Sequence, residues 1–129
     1  MQKTILLVDD DEEEYYIIKM ALEMATINCR CIWANGLEHA QKLVKELQPD
    51  YVFLDINMPR NDGITCLEHL KHLEQLQRSV FVMYSTYISE DNRKEALRLG
   101  AFCCINKPEN IKILLKHLTN LLSDKTPYT

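Results

Sequence analysis

The segment that most constrains this chain is the run Tyr51–Leu54, four apolar or aromatic residues that lead into an aspartate. Pro49 lies just before the run, and Pro59 and Gly63 follow it. A short β-branched and aromatic run bounded by turn-forming residues predicts a strand that is buried on both faces. In an open α/β sheet, ligands bind in the crevice beyond the carboxyl ends of the strands. Asp55 therefore occupies the position where such a fold places its chemistry.

Four more apolar runs alternate with amphipathic segments along the chain. Together with the central run they predict strands at 4–8, 29–34, 51–54, 80–84 and 102–106. The intervening periodicity predicts five helices, of which the second covers 37–47, the fourth 89–99 and the fifth 111–122. Because the connections are too long for hairpins, we expect parallel strands joined by right-handed crossovers. The predicted fold class is α/β, with a doubly wound sheet of five parallel strands.

The first helix follows an acidic block and has apolar residues at helical spacing. Its predicted core face consists of Ile17, Met20, Ala21 and Met24. The glutamates at 12–14 are interpreted as charges that favour the positive N-terminal end of this helix, with Asp10 or Asp11 as its cap. The fourth helix, by contrast, has few apolar residues for a core face, namely Ala96, Leu97 and Leu99. It is therefore predicted to be the most weakly anchored helix.

The length and composition of the chain fit one domain with one core. With 129 residues, 47% of them hydrophobic, the chain is too short for two ordinary domains. We expect a single domain over residues 1–129, with about 123–129 as a flexible tail. The net charge of −4 does not indicate direct binding of nucleic acid, which usually requires a positively charged surface. No apolar run approaches the roughly 20 residues that span a bilayer, and no signal-peptide pattern begins the chain, so we expect a cytoplasmic protein without membrane insertion.

The cysteines include no CxxC pair and form an odd number: Cys29, Cys31, Cys66, Cys103 and Cys104. We interpret them as reduced side chains that pack in or near the core. Cys29 and Cys31 are not expected to bind a metal, because alternate residues of one strand lack the usual ligand spacing.

Polar residues follow four of the predicted strands, at the point where each strand ends: Asp9 with Asp10, Asp55, Ser85 and Lys107. Each residue alone is typical of a helix cap, a turn or a solvated surface, and the ordered set is what favours a site. Clustered carboxylates raise one another's pKa unless a cation neutralises them, and oxygen ligands suit a hard ion such as Mg²⁺. The Asp55 carboxylate could then act as a nucleophile and form an aspartyl phosphate. Ser85 and Lys107 would hold the other phosphoryl oxygens.

Four segments in this order resemble the receiver domain of bacterial two-component response regulators: Leu7-Val8-Asp9-Asp10, Asp55 to Pro59 with Asp62-Gly63, Ser85, and Lys107-Pro108. The resemblance covers the chain from about Thr4 to Leu122 in one register, and the DxxMPxxDG run is its most specific part. It implies a flavodoxin-like fold with strand order 2-1-3-4-5. It also implies phosphorylation of Asp55 by a histidine kinase or a histidine phosphotransfer protein.

The resemblance implies a role for each matched position. The implied Mg²⁺ ligands are Asp10, Asp55 and the backbone carbonyl of Asn57, with Asp9 positioning water or the metal. Ser85 corresponds to the switch hydroxyl, and Lys107 to the lysine of the family pattern. The pattern also implies a cis peptide between Lys107 and Pro108.

The chain departs from the family pattern at the residues of the output switch. Cys104 stands where the family usually has an aromatic residue, and Thr86 stands where a small residue, commonly alanine, is usual. Because Cys104 has no ring that could move with the Ser85 hydroxyl, Tyr84 and Tyr87 are the nearest aromatic candidates to report the switch.

The function that we expect is that of a stand-alone receiver, a phosphorylation-driven switch that contacts a downstream protein partner. Such a domain is not an enzyme beyond its own phosphorylation and dephosphorylation, and it is a monomer or a phosphorylation-dependent dimer. One alternative is a degenerate receiver that acts as a constitutive docking module, which Thr86 and Cys104 keep open. A less favoured alternative is a phosphatase of the haloacid-dehalogenase type. That family has a second aspartate two residues after the nucleophile, where this chain has Asn57.

Overall fold

A computed structural model of the protein describes residues 2–122, along which strands and helices alternate. The strands are β1 (Lys3–Val8), β2 (Cys29–Ala34), β3 (Tyr51–Leu54), β4 (Val80–Ser85) and β5 (Cys103–Asn106). The helices are α1 (Glu12–Met24), α2 (Leu37–Leu43), α3 (Gly63–Leu70), α4 (Glu90–Arg98) and α5 (Ile111–Leu122), and a short 3-10 turn, Glu74–Leu76, precedes β4. The predicted flexible tail at 123–129 lies outside the described residues.

The strands form one parallel sheet in the order β2-β1-β3-β4-β5. Helices α1 and α5 cover one face of the sheet, and α2, α3 and α4 cover the other. The predicted fold class and strand order are therefore confirmed. This order places the carboxyl ends of β1, β3, β4 and β5 side by side.

Strand β1, which lies between β2 and β3, shows why the sequence from Ile5 to Val8 is a continuous apolar run. Ile5 and Leu7 pack with α1 and α5, whereas Leu6 and Val8 pack with the helices on the opposite face. All four side chains are fully buried. A strand segment covered by helices on both sides favours apolar residues, and the next polar side chain after this run, Asp9, comes where the strand ends.

Side-chain caps start three of the helices. Asp11 caps α1 by accepting a hydrogen bond from the backbone N–H of Glu13, and Asp62 caps α3 in the same way. Ser89 caps α4, as predicted. Each such cap contributes about 1 kcal/mol to helix stability.

The predicted core face of α1 is correct for Ala21 and wrong for its other three residues. Met20 and Met24 are about half exposed, and the buried side chains of this helix are Ile18, Ala21 and Leu22. Apolar residues occupy almost every side of α1, so two sets with helical spacing overlap in the sequence. The periodicity does not decide between them, and packing against β2 and α5 selects the set that contains Leu22.

Two further predictions about the backbone are also wrong. Helix α2 ends at Leu43 rather than near residue 47, because the N–H groups of Lys45 and Glu46 bond to carbonyls only three residues back. The peptide between Lys107 and Pro108 is trans, like the other peptides between residues 2 and 122. The trans form of an X-Pro bond is favoured by about 0.5–1 kcal/mol.

The five cysteines are free thiols, as predicted, and burial raises the pKa of each of them. Within residues 2–122, no helix is both long enough and apolar enough to cross a bilayer.

Candidate functional site

The carboxyl ends of four strands meet at one edge of the sheet and bring the predicted polar residues together. Asp9 follows β1, Asp55 follows β3, Ser85 ends β4 and Lys107 follows β5. The backbone N–H of Asp55 donates to the carbonyl oxygen of Val8 over 3.0 Å. That of Lys107 donates to the carbonyl oxygen of Ser85 over 2.8 Å. Strand pairing therefore fixes the backbone positions of Asp55 and Lys107.

The Asp55 carboxylate is buried and held on both of its oxygen atoms. Its Oδ1 accepts hydrogen bonds from the Ser85 hydroxyl at 2.7 Å and from the backbone N–H of Asn57 at 3.1 Å. Its Oδ2 lies 3.4 Å from the ammonium nitrogen of Lys107. Hydrogen bonds from three directions orient the carboxylate before any ligand binds.

Asp9 is fully buried and pairs with the same lysine. Its Oδ2 accepts a hydrogen bond from Lys107 Nζ at 2.8 Å, and its Oδ1 accepts one from the backbone N–H of Asp11 at 2.9 Å. Burial raises the pKa of Asp9 to about 6, although both hydrogen bonds act in the opposite direction. The backbone carbonyl of Asp9 also accepts a hydrogen bond from the indole N–H of Trp33 at 2.7 Å.

Lys107 is the cation at the centre of this group. Its ammonium lies 2.8 Å from Asp9, 3.4 Å from Asp55 and 3.7 Å from a third carboxylate, that of Glu14 on α1. Burial lowers the pKa of Lys107, but these three carboxylates together outweigh burial, so its pKa is raised. The interpretation of Glu14 as a helix-end charge missed this contact, which joins the first turn of α1 to a residue that follows β5.

The family model of the response regulator receiver domain matches residues 5–119 of this chain. The chain belongs to the receiver domain family. It is similar to the phosphate regulon transcriptional regulatory protein PhoB from Pseudomonas aeruginosa, with 32% identity over 97% of this chain and 54% of that protein. The chain spans about half or less of the length of the curated relatives it matches.

Solved structures of response regulators share the receiver fold of this chain. The phosphorylated cyanobacterial phytochrome response regulator RcpA superposes with a TM-score of 0.84 and 27% identity, over 98% of both chains. The Mn²⁺-bound form of the response regulator Rcp1 gives a TM-score of 0.83 with 24% identity, over 96% of this chain and 97% of that one.

An acidic cluster in this receiver could hold a metal ion. Oxygen atoms of Asp9, Asp10 and Asp55 lie within 4.8 Å of one another. Asp9 and Asp55 are buried, whereas Asp10 is exposed to solvent. A group of carboxylate oxygens open on one side fits a hard divalent cation such as Mg²⁺. The role of the Asn57 carbonyl as a further ligand stays a prediction.

The Asn57 side chain joins the loop after β3 to the end of β4 and the loop that follows it. Its Nδ2 donates to the Ser85 hydroxyl oxygen at 3.0 Å and lies 3.4 Å from the carbonyl oxygen of Tyr87. The sequence interpretation assigned a role only to the backbone of Asn57 and missed this side chain. Its contact with Ser85 depends on the adjacent placement of β3 and β4, which no local pattern reveals.

Gly63 lets α3 start directly against the loop that follows β3. A Cβ atom at this position would overlap the carbonyl oxygen of Asp55 and would lie 2.7 Å from Cα of Ile56. The Gly63 N–H donates to the carbonyl oxygen of Ile56 over 3.0 Å. The glycine of the DxxMPxxDG run is therefore required by the close approach of two backbone segments.

The predicted switch residues lie beside this pocket. Thr86 is exposed, and Cys104 is half-buried against the core on the α4 side of the sheet. The Tyr84 ring is buried, with the Lys107 ammonium 5.8 Å from its centre, whereas Tyr87 is 70% exposed. The two tyrosines thus differ in environment, and the choice between them as reporters of a switch stays a prediction.

Proposed function

We propose that this protein is a phosphorylation-driven signalling switch in which Asp55 accepts a phosphoryl group. One observation carries the proposal: the buried Asp55 carboxylate lies between a serine hydroxyl at 2.7 Å and a lysine ammonium at 3.4 Å, beside two further aspartates. A carboxylate oxygen of Asp55 would form the new bond to phosphorus. The bond from phosphorus to the donor's leaving group would break, and its electron pair would depart with that group.

The other residues would stabilise the transferred phosphoryl group. Lys107 and Ser85 already point at the Asp55 carboxylate, so each needs only a short movement to reach a phosphoryl oxygen. Asp10, Asp55 and the Asn57 carbonyl would hold Mg²⁺, with Asp9 positioning water or the metal. The bound cation would neutralise charge that develops on the phosphoryl oxygens.

Receiver domains act with histidine kinases and downstream effectors, and RcpA, a structural relative at 27% identity, is described as phosphorylated. We therefore propose a histidine kinase or a histidine phosphotransfer protein as the phosphoryl donor, and a protein partner for the output. A cytoplasmic location and a monomeric or phosphorylation-dependent dimeric state stay predictions from the sequence.

Labelling with acetyl phosphate and Mg²⁺ tests the proposed phosphoacceptor. Intact-mass measurement should detect one added phosphoryl group on the wild-type chain and on Asp91→Asn, which changes an exposed aspartate on α4. Asp55→Asn should take up none, and a chelator should abolish wild-type labelling. Undiminished labelling of Asp55→Asn would refute the assignment, and sustained turnover of a phosphomonoester would favour the phosphatase alternative.

A further inference from the structure

We infer that Glu14 is a positioning residue that holds the Lys107 ammonium from the α1 side, so that a phosphoryl group on Asp55 must compete with Glu14 for this lysine. The inference rests on the proposed function of Asp55. It adds to the site a carboxylate that lies on a helix rather than at the end of a strand.

The surroundings of Glu14 differ from those of its neighbours on α1. Its carboxylate is 18% exposed and its Oε2 lies 3.7 Å from Lys107 Nζ, whereas Glu12 and Glu13 are exposed. Burial raises the pKa of Glu14, and the Lys107 charge counteracts this effect. A carboxylate removed from water in this way is costly unless a cation faces it.

The N-terminal cap of α1 explains why Glu14 is available for this contact. In a capping box, the acidic residue three positions after the N-cap accepts a hydrogen bond from the backbone N–H of the N-cap residue. Glu14 stands three positions after the cap Asp11, but the N–H of Asp11 donates to Asp9 Oδ1 at 2.9 Å instead. Glu14 is thus released from the capping role that its spacing predicts, and its carboxylate faces the lysine.

Phosphorylation would change the balance of charges around Lys107. The phosphoryl group carries about −1.5 to −2 charge and three acceptor oxygens, in place of the single negative charge of the free Asp55 carboxylate. These oxygens attract the ammonium away from Glu14. Loss of the lysine would leave the Glu14 carboxylate partly buried beside a more negative site. Glu14 should therefore oppose phosphorylation, and removal of its charge should favour it.

Glu14→Gln and Glu13→Gln form a matched pair for the test. Both remove one negative charge from the first turn of α1, but only Glu14 lies near Lys107. Calorimetric titration with beryllofluoride in the presence of Mg²⁺ measures affinity for a phosphoryl mimic. We expect Glu14→Gln to tighten binding by about three- to tenfold and Glu13→Gln by less than about twofold. In the free proteins, the ¹⁵N resonance of the Lys107 ammonium should shift in Glu14→Gln and stay at the wild-type position in Glu13→Gln.

The possible failures are distinguishable. If the wild-type chain binds beryllofluoride and the two variants match each other in affinity and in the Lys107 resonance, the role of Glu14 is refuted while the proposed function stands. If the wild-type chain binds no beryllofluoride with Mg²⁺, the proposed function fails and the competition for Lys107 fails with it.

Discussion

Gly63 shows at the scale of one residue how a missing side chain supports the site. Gly63→Ala should destabilise the fold by about 1–3 kcal/mol, because its Cβ would overlap the Asp55 carbonyl group. The displaced loop should also slow labelling of Asp55. Gly36→Ala is the matched control, since a Cβ there meets no atom within 4 Å. Urea denaturation measures both variants, and equal free energies of unfolding would contradict the role given to Gly63.

Asp9 gives the site a pH dependence whose sign follows from its burial. In the folded protein Asp9 keeps its proton up to about pH 6, against an ordinary pKa of 3.8. Between these values the folded state binds more protons than the unfolded chain, so the contribution of Asp9 to the free energy of unfolding decreases as pH rises. Below about pH 6, a Mg²⁺ ion that binds at the site must displace the proton of Asp9. Calorimetry should thus show tighter Mg²⁺ binding at about pH 7.5 than at about pH 5, and Asp9→Asn should weaken this dependence. A wild-type affinity that is constant over this range would contradict the prediction.

Helix α1 illustrates what decides a core face at the scale of an element. Leu22→Ala removes a buried side chain and should cost about 2–5 kcal/mol, whereas Met24→Ala changes a half-exposed one and should cost less than about 1 kcal/mol. The two residues lie close together near the end of the same helix, so helix propensity affects both alike. Denaturation followed by circular dichroism compares them. A larger loss for Met24→Ala would restore the face predicted from the sequence.

The same helix marks the limit of what the sequence could predict. The strands and the residues at their ends were predictable because buried parallel strands are continuous apolar runs that stop at the first polar side chain. The face of α1 was not, because its apolar residues surround the helix. Glu14 and the Asn57 side chain were missed for a different reason: their contacts join segments that only the packed sheet brings together.

At the scale of the whole molecule, the site lies at the carboxyl ends of the strands, between the two layers of helices. Asp9, Asp10 and Lys107 lie next to the first turn of α1. Ser85, by contrast, leads into the loop before α4, a helix in which Ala96 is the one buried residue. An element with so few apolar contacts opens at low free-energy cost. A phosphoryl group that draws Ser85 and Lys107 inward should therefore shift the α4 side of the molecule.

Amide chemical shifts measure this response. Beryllofluoride with Mg²⁺ should shift amides across residues 84–106, including Tyr84 or Tyr87, in the wild-type chain and not in Asp55→Asn. Shifts confined to the loops around Asp55 would contradict a switch on this face and would favour the constitutive docking module.

The hydrogen bond from Trp33 to the carbonyl oxygen of Asp9 has a practical consequence. Trp33 is the one tryptophan of the chain, and its indole N–H is bonded to the backbone of Asp9. Trp33 is therefore an intrinsic fluorescent probe of the pocket, and its emission can be measured without a dye or an isotope label. Tryptophan emission should change when Mg²⁺ or a phosphoryl group binds at the site. Trp33→Phe should lack tryptophan emission and still bind Mg²⁺. Unchanged emission during binding that calorimetry detects would show that the indole does not sense the pocket.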